Sequence, residues 1–570
     1  MNCMELYERW VSRELEDQDL TRELEEIRGK QEEIYDRFYK DLEFGTAGLR
    51  GIIGAGSNRM NIYTVRKATQ GLAMMLKENN KAPMAAVSYD SRIKSDVFAK
   101  EAARVLAANG IKVWLYPQLM PVPALAFATR DLKCQAGIMV TASHNPSKYN
   151  GYKVYGPDGC QLGLEESARV LDFASKTDLF DDVKITDFDA AVKSGMIEYI
   201  EEKIVDHFIA AVEKQQINPG ICKKAGLKLV YTPLNGAGNH CVRRVLKNIG
   251  VTDITVVPEQ EHPDGNFPTC PYPNPEIKEA LAKGLELCAK TGADLLLATD
   301  PDCDRVGIAV RQGDEYELLS GNQVGALLLD YIAAGRIANH TMPKDPVAVT
   351  TIVSTKLFSA IGRHYGVDVK IVLTGFKFIG EQIHLLEEEG HPERYIFGFE
   401  ESYGYLAGTH VRDKDAVVGS MLIVEMASYY KEKGMTLVDA LKSLYERFGL
   451  YCESVANFMF EGAQGMTIMT QMMDKMRKNP PKELAGSKVI CVKDYLASIS
   501  SSETGVEPIA LPKSNVLEYL LENGCSAVVR PSGTEPKIKL YLSIVGEKMS
   551  EIEPKAKALS QDIEKMMGVK

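Results

Sequence analysis

The sequence predicts an α/β protein of several domains, and three observations carry that expectation. Short apolar strands alternate with helical patterns over most of the chain, as in Ala85–Tyr89, Val113–Tyr116 and Ile138–Val140, separated by segments such as Ser95–Asn109. Such alternation implies layers of parallel strands and helices. The cycle restarts twice, and after about residue 450 it gives way to a mixed α+β tail. At 570 residues the chain also exceeds the roughly 250–300 residues at which single cores stop growing.

The elements follow in order. Residues 1–40 are charged and carry Leu6, Trp10, Leu20, Leu24, Ile27, Ile34 and Phe38 at mostly helical spacing, which predicts a helical extension with Asp19 as a cap. A first α/β domain spans 41–205. A second, 206–318, is read from the strand Leu227–Tyr231, the helix Cys241–Ile249, the strand Ile254–Val257 and a helix over Pro275–Lys290. A third, 319–449, has the helix Val324–Ala333 and strands at Val347–Thr351, Val369–Leu373 and Tyr395–Phe399. The tail, 450–570, contains Ala527–Arg530 and Ile538–Leu542.

Net charge is −11 with no long Lys/Arg block, which argues against nucleic acid or an anionic membrane as the main partner. Eleven cysteines, scattered without a Cys-x-x-Cys pair, predict neither a disulfide framework nor a zinc site, and fit a reducing, cytoplasmic compartment. Met1–Trp10 is acidic rather than basic then apolar, and no apolar run approaches the ~20 residues of a membrane span.

The chemistry gathers at strand ends. Ala136–Val140 empties into Thr141-Ala142-Ser143-His144-Asn145-Pro146, a turn that exposes the Ser143 hydroxyl. Ser143 and Asn145 are also residues that cap an ordinary turn. Leu295–Ala298 is followed by Asp300-Pro301-Asp302-Cys303-Asp304-Arg305. Counted from Asp300, the sixth and twelfth positions are Arg305 and Arg311 rather than glycine and glutamate, so this is no EF-hand. Three carboxylates that leave coordination positions open suit magnesium in phosphoryl transfer, with Arg305 facing the same phosphate. The competing reading is a solvated acidic turn. A serine hydroxyl is a weak nucleophile that needs a neighbouring metal or base, and His144 and Lys153 are near in sequence.

Further loops offer binding groups. Gly398–Gly404 holds Glu400, Glu401 and Ser402, suited to vicinal sugar hydroxyls, a second metal or a helix start. Arg530-Pro531-Ser532-Gly533-Thr534 combines an arginine, two hydroxyls and a glycine, a phosphate cradle without Walker spacing or else a plain turn. Arg50 sits in the glycine-rich Gly45–Gly51. Thr374-Gly375-Phe376-Lys377 follows a strand, where Lys377 reaches a substrate oxygen or lies at the surface. For Tyr89-Asp90-Ser91-Arg92 a structural ion pair explains the charges as well as a site does.

In this order, the serine loop, the Asp-x-Asp-x-Asp-Arg loop, the Glu-Glu-Ser loop and the Arg-Pro-Ser-Gly-Thr loop resemble the α-D-phosphohexomutase superfamily, most closely its long phosphoglucomutase branch, which includes phosphopentomutase-like relatives. The resemblance spans most of the chain. It implies four domains around a central cleft, three similar α/β sandwich domains and a C-terminal α+β domain of TATA-box-binding-protein-like shape. It implies that Ser143 is phosphorylated and that Asp300, Asp302 and Asp304 hold one Mg2+ with a phosphoserine oxygen. Arg305 and Lys153 match positions that contact the reacting groups, Glu400 and Ser402 those that contact sugar hydroxyls, and Arg530, Ser532, Gly533 and Thr534 those that grip the non-transferring phosphate. Thr374 and Gly375 belong to the glucose-type third-domain loop, although Phe376 stands where tryptophan is familiar, which leaves the sugar open.

The expected reaction interconverts α-D-glucose 1-phosphate and glucose 6-phosphate through glucose 1,6-bisphosphate, which also serves as activator. Lys153 is the first choice for the proton on the expectation of a lowered pKa, with His144 and Lys377 as alternatives. Competing expectations are a phosphopentomutase, a phosphomannomutase, a sugar bisphosphate synthase and a phosphosugar-binding regulatory protein.

Overall fold

The computed structural model describes residues 2–45, 48–460, 465–532 and 537–568. The chain forms three α/β domains and a β-rich C-terminal domain, gathered into two compact units. One unit comprises Met1–Ser320, Ile379–Phe397 and Ser402–Thr436; the other comprises Gly321–Phe378, Gly398–Glu401 and Leu437–Lys570.

In the first unit, helices Cys3–Val11, Gln18–Glu26 and Gln31–Phe38 open the chain. Asn2 caps the first, accepting from the Glu5 amide at 2.9 Å. Asp17, not Asp19, caps the second: its carboxylate accepts from the Asp19 amide, and Asp19 instead lies in the first turn, where its charge complements the helix dipole. Trp10 is buried edge-on against Phe38, Tyr63 and Phe180, fastening these helices to the first α/β core.

That core is a seven-stranded sheet. Met84–Tyr89 lies within it, parallel to the central strand Ala136–Val140 on one side and Lys112–Leu115 on the other. All five residues of Ala136–Val140 are buried, as a strand covered by helices on both faces requires. Tyr149–Tyr155 returns antiparallel to it with Lys153 opposite Met139, so the strand that carries Lys153 is paired directly to the one that delivers Ser143. The second sheet places Leu295–Thr299 parallel to Lys228–Thr232 and antiparallel to Val306–Gln312, with Asp300 at the strand's exit.

The helix expected over Pro275–Lys290 starts late. Lys278–Leu281 is a 3-10 turn, the α-helix runs Ala282–Thr291, and Ile277 is extended. Pro275 lies against Gly307, where a Cβ would meet the Pro275 carbonyl oxygen at 2.6 Å, so this backbone is pinned to the neighbouring strand and Glu276 is left to meet Arg305. The long apolar helix Ala416–Glu432 also belongs to this unit and packs on helices Ile221–Ala225 and Gly238–Asn248.

In the second unit Val347–Thr351 pairs in parallel with Asp368–Val372. The C-terminal sheet is antiparallel, running Leu450–Met459, Lys537–Gly546, Ser526–Pro531, Leu517–Leu521 and Ser487–Asp494 before two edge strands. Met469, Met473, Leu559 and Ile563 of helices Gly465–Lys478 and Met549–Met567 close its core with Leu540 and Val529.

Candidate active site

The first unit brings Ser143 to the acidic loop. Ser143 Oγ donates to Asp300 Oδ2 at 2.9 Å and lies 3.1 Å from His144 Nδ1. Asp300 is bent inward by its own turn: its Oδ1 accepts from the amides of Asp304 (3.0 Å) and Arg305 (2.9 Å), and Cys303 takes a left-handed φ of 54°. Asp300, Asp302 and Asp304 are all buried, and one carboxylate oxygen of each lies within 4.8 Å of the others.

Three buried carboxylates repel one another. Burial, with the charges of Asp302 and Asp304 added, pushes the Asp300 carboxyl well above its ordinary range. Asp304 is held low although burial opposes it, because Lys414, Lys153 and Arg305 stand beside it. Asp302 Oδ1 and Asp304 Oδ1 are buried without a hydrogen-bond donor. Orphaned anionic oxygens beside a serine hydroxyl, an all-oxygen donor set, fit a hard divalent cation.

Lys153 Nζ donates to Asp302 Oδ2 at 2.8 Å and to Asp304 Oδ2 at 3.4 Å. Burial draws its pKa down, but the two carboxylates outweigh it, so the lysine is raised and not lowered as expected. A cation does stand beside it, Lys414, and works to lower it, but Asp302 and Asp304 outweigh that charge. Burial depresses His144 well below the usual imidazole value, with Arg305 and Arg50 adding to the effect, which keeps its ring neutral. Arg305 pairs with Glu276, and Arg50 reaches the Asn145 side chain at 3.3 Å.

Lys414 completes this cluster and was not singled out from sequence. Its ammonium lies 3.2 Å from Asp304 Oδ2 and 3.3 Å from Asp413 Oδ1. The placement follows from its neighbours. Asp415 caps Ala416–Glu432, accepting from the amides of Val417 and Val418, while Asp413 accepts from Tyr155 Oη at 3.0 Å and Gln161 Nε2 at 2.9 Å. The available signal was the alternating run Arg412-Asp413-Lys414-Asp415 ahead of an apolar helix.

The second unit assembles another group. Glu400 ends its strand buried, and its Oε1 accepts from the Gly375 amide at 2.6 Å; Gly375 has φ 120°, a conformation that favours glycine. This ties Thr374–Gly375 to the Glu400 loop. Burial pushes the Tyr541 hydroxyl up to about 12, with Glu401 and Glu400 adding to the rise and the nearby Arg530 opposing it. The Ser532 amide donates to Lys537 O at 2.7 Å, and the Lys377 ammonium lies 5.3 Å from the centre of the Phe378 ring. Gly533 and Thr534 lie outside the described residues, and Ser402 belongs to the first unit.

A buried carboxylate cluster that could hold a metal, aimed at a serine with left-handed backbone and carried on successive α/β domains, is the arrangement of a phosphoryl-transfer enzyme. Family models for phosphoglucomutase/phosphomannomutase α/β/α domains I, II and III match residues 41–180, 206–313 and 320–448. A phosphoglucomutase of Staphylococcus aureus (strain USA300) is 38% identical over 525 residues, covering 92% of this chain and 93% of the relative. Two solved structures share the fold: a putative phosphomannomutase of Thermus thermophilus (TM-score 0.68, 22% identity, 92% of this chain and 99% of the other) and the open form of Paramecium pp63/parafusin, a phosphoglucomutase (TM-score 0.68, 16%, 93% and 96%). The chain belongs to the phosphoglucomutase/phosphomannomutase family, within the α-D-phosphohexomutase superfamily and on its phosphoglucomutase branch. It is a phosphotransferase mutase. No helix among the described residues is long and apolar enough to cross a membrane.

Proposed function

We propose that the protein interconverts α-D-glucose 1-phosphate and glucose 6-phosphate, working in the cytoplasm as a phospho-Ser143 enzyme. The observation that carries this is the 2.9 Å contact of Ser143 Oγ with Asp300 inside the three-carboxylate cluster. The choice of glucose is supported by the 38% identical Staphylococcus aureus phosphoglucomutase.

In the forward half-reaction the bond between phosphorus and Ser143 Oγ breaks as a bond forms to the free hydroxyl of the sugar phosphate, whose proton passes to a nearby base. The product is glucose 1,6-bisphosphate, which is also the activator. It turns around, Ser143 Oγ takes its other phosphoryl group, and the departing sugar oxygen recovers a proton. Asp300, Asp302 and Asp304, with an oxygen on Ser143, would hold one Mg2+, which when bound supplies positive charge against the moving phosphoryl group.

The chain's own groups divide the remaining work. Neutral His144 lies beside the serine oxygen, which suits it to accept a proton; the Lys153 ammonium, raised by its carboxylates, suits returning one, and Lys377 and Lys414 are further candidates for handling it. Arg305 and Arg50 offer positive charge near the transferred group. Glu400 and Ser402 would read equatorial hydroxyls in either orientation of the sugar, with Thr374 and Gly375 shaping that loop. Arg530, Ser532, Gly533 and Thr534 would grip the phosphate that stays.

The test is a mutase assay with Mg2+ and catalytic glucose 1,6-bisphosphate on glucose 1-phosphate, mannose 1-phosphate and ribose 1-phosphate. Glucose 1-phosphate should give the highest kcat/KM, and Ser143→Ala should abolish turnover while leaving the fold intact. A folded Ser143→Ala enzyme with near-normal rates would refute the assignment.

A further inference from the structure

Arg92 follows the strand Met84–Tyr89 and is 3% exposed. Its guanidinium donates to four carbonyls of one loop. One nitrogen reaches Pro146 O and Tyr149 O, each at 3.0 Å, and the other reaches Ser143 O and Asn145 O. A planar fork of fixed donors can do this, whereas a lysine brings a single point charge. Asp90, 3.5 Å from Arg92 Nε, supplies the counter-charge.

Asp90 is itself saturated. It accepts from Thr141 Oγ1 (2.6 Å), Ser95 Oγ (2.8 Å) and the Arg92 amide (2.9 Å), and Thr141 Oγ1 in turn accepts from the Ser143 amide at 2.8 Å. Ser143 is therefore held at both ends of its backbone: the N–H through Thr141 and Asp90, the carbonyl through Arg92. Its φ is 52°, a left-handed conformation that is strained for a residue with a Cβ and persists only when its surroundings over-determine it. The surroundings here are one carboxylate and one guanidinium.

The second α/β domain closes over this clamp. The Phe267 ring lies 5.1 Å from the Arg92 guanidinium carbon, and Gly265 approaches so closely that a Cβ there would stand 2.4 Å from Ile93 N and 2.8 Å from Ser91 O. The loop thus covers the buried Arg92 side chain.

We infer that Arg92, covered by the Gly265–Phe267 loop, is the positioning residue of the phosphoryl carrier, fixing the Ser143 peptide so that the hydroxyl faces the three carboxylates. The inference rests on the reading of Ser143 as that carrier. Arg92 acts through backbone and touches no reacting atom, so its loss should fall on the chemical step and spare substrate affinity.

The experiment compares Arg92→Lys, Gly265→Ala and Ser143→Ala with the parent enzyme, with Mg2+ and glucose 1,6-bisphosphate present. Arg92→Lys keeps the charge beside Asp90 but loses the fork. It should lower kcat about 100-fold, the penalty of a roughly 1 Å misplacement, with KM for glucose 1-phosphate changed less than about threefold. Single-turnover transfer from isolated phosphoenzyme to glucose 1-phosphate should slow by the same factor. Gly265→Ala, which presses on the Ser91–Ile93 turn without altering any charge, should show the same pattern if Arg92→Lys does not fold. An Arg92→Lys or Gly265→Ala enzyme with kcat near that of the parent, or a loss seen mainly in KM, would overturn the inference. An active Ser143→Ala enzyme would instead overturn the reading beneath it.

Discussion

Asp304 Oδ2 lies 3.2 Å from the Lys414 ammonium and 3.4 Å from that of Lys153, so two lysines from separate segments of the chain meet on one carboxylate. Each ammonium occupies negative charge that a divalent cation would also claim. Removing one should therefore leave the cluster more attractive to the ion. Lys414→Met is expected to bind Mn2+ about tenfold more tightly, a difference of roughly 1.4 kcal/mol, while mutase turnover falls. Titration calorimetry with Mn2+ checks this, and weaker binding in the variant would show that Lys414 holds Asp304 in place more than it competes.

Cation binding should also be legible as stability. A ligand that binds the folded chain alone stabilises it by about 2.7 kcal/mol at a hundredfold excess over Kd. Mg2+ is thus expected to raise the melting temperature of the parent protein. Asp302→Asn, which neutralises one of the three buried carboxylates and the orphaned Oδ1 with it, should lose most of that rise. An unchanged Mg2+ response in Asp302→Asn would remove this residue from the cation site.

What could be read from sequence followed from contiguity. Ser143 and Asp300–Asp304 each lie in a short loop directly after a buried apolar strand, and a strand end is where an α/β layer presents side chains. Lys414 gave no such signal, because only the fold carries it to Asp304. Arg92 was legible as an ion pair with Asp90, and the 3.5 Å contact exists. Its four carbonyl partners were not legible, since backbone acceptors leave no trace in residue identity. The Lys153 pKa was misjudged for a related reason: its direction depends on which charges surround the ammonium, and Asp302 and Asp304 lie about 150 positions away in sequence but at 2.8 Å and 3.4 Å in space. The late start of the helix before Thr291 depends likewise on Gly307, a contact between segments.

A pH dependence is built into the second unit at Glu453. This residue lies on the strand Leu450–Met459, with Oε1 buried and without a hydrogen-bond partner. Burial pushes its carboxyl up to about 7 from an ordinary 4.5, against the opposing influence of the Thr355 and Ser543 hydroxyls and the Lys356 charge. Lys356 is the smallest of these influences. Below pH 4.5 the carboxyl is protonated in the folded and unfolded chain alike and adds no pH dependence. Between 4.5 and about 7 the unfolded chain has given up the proton that the folded chain retains, so stability falls as pH rises; above 7 the cost of the buried charge is fully present. Glu453→Gln removes the titration and keeps the shape. Thermal melts should show the variant close to the parent at pH 4.5 and higher at pH 8 by at least about 2–4 °C, the shift that each ~1 kcal/mol gives in a body of 150–250 residues. A difference of equal size at both pH values would assign the effect to packing, and a lower melting temperature at pH 8 would mean that the charged carboxylate is paired in the folded protein.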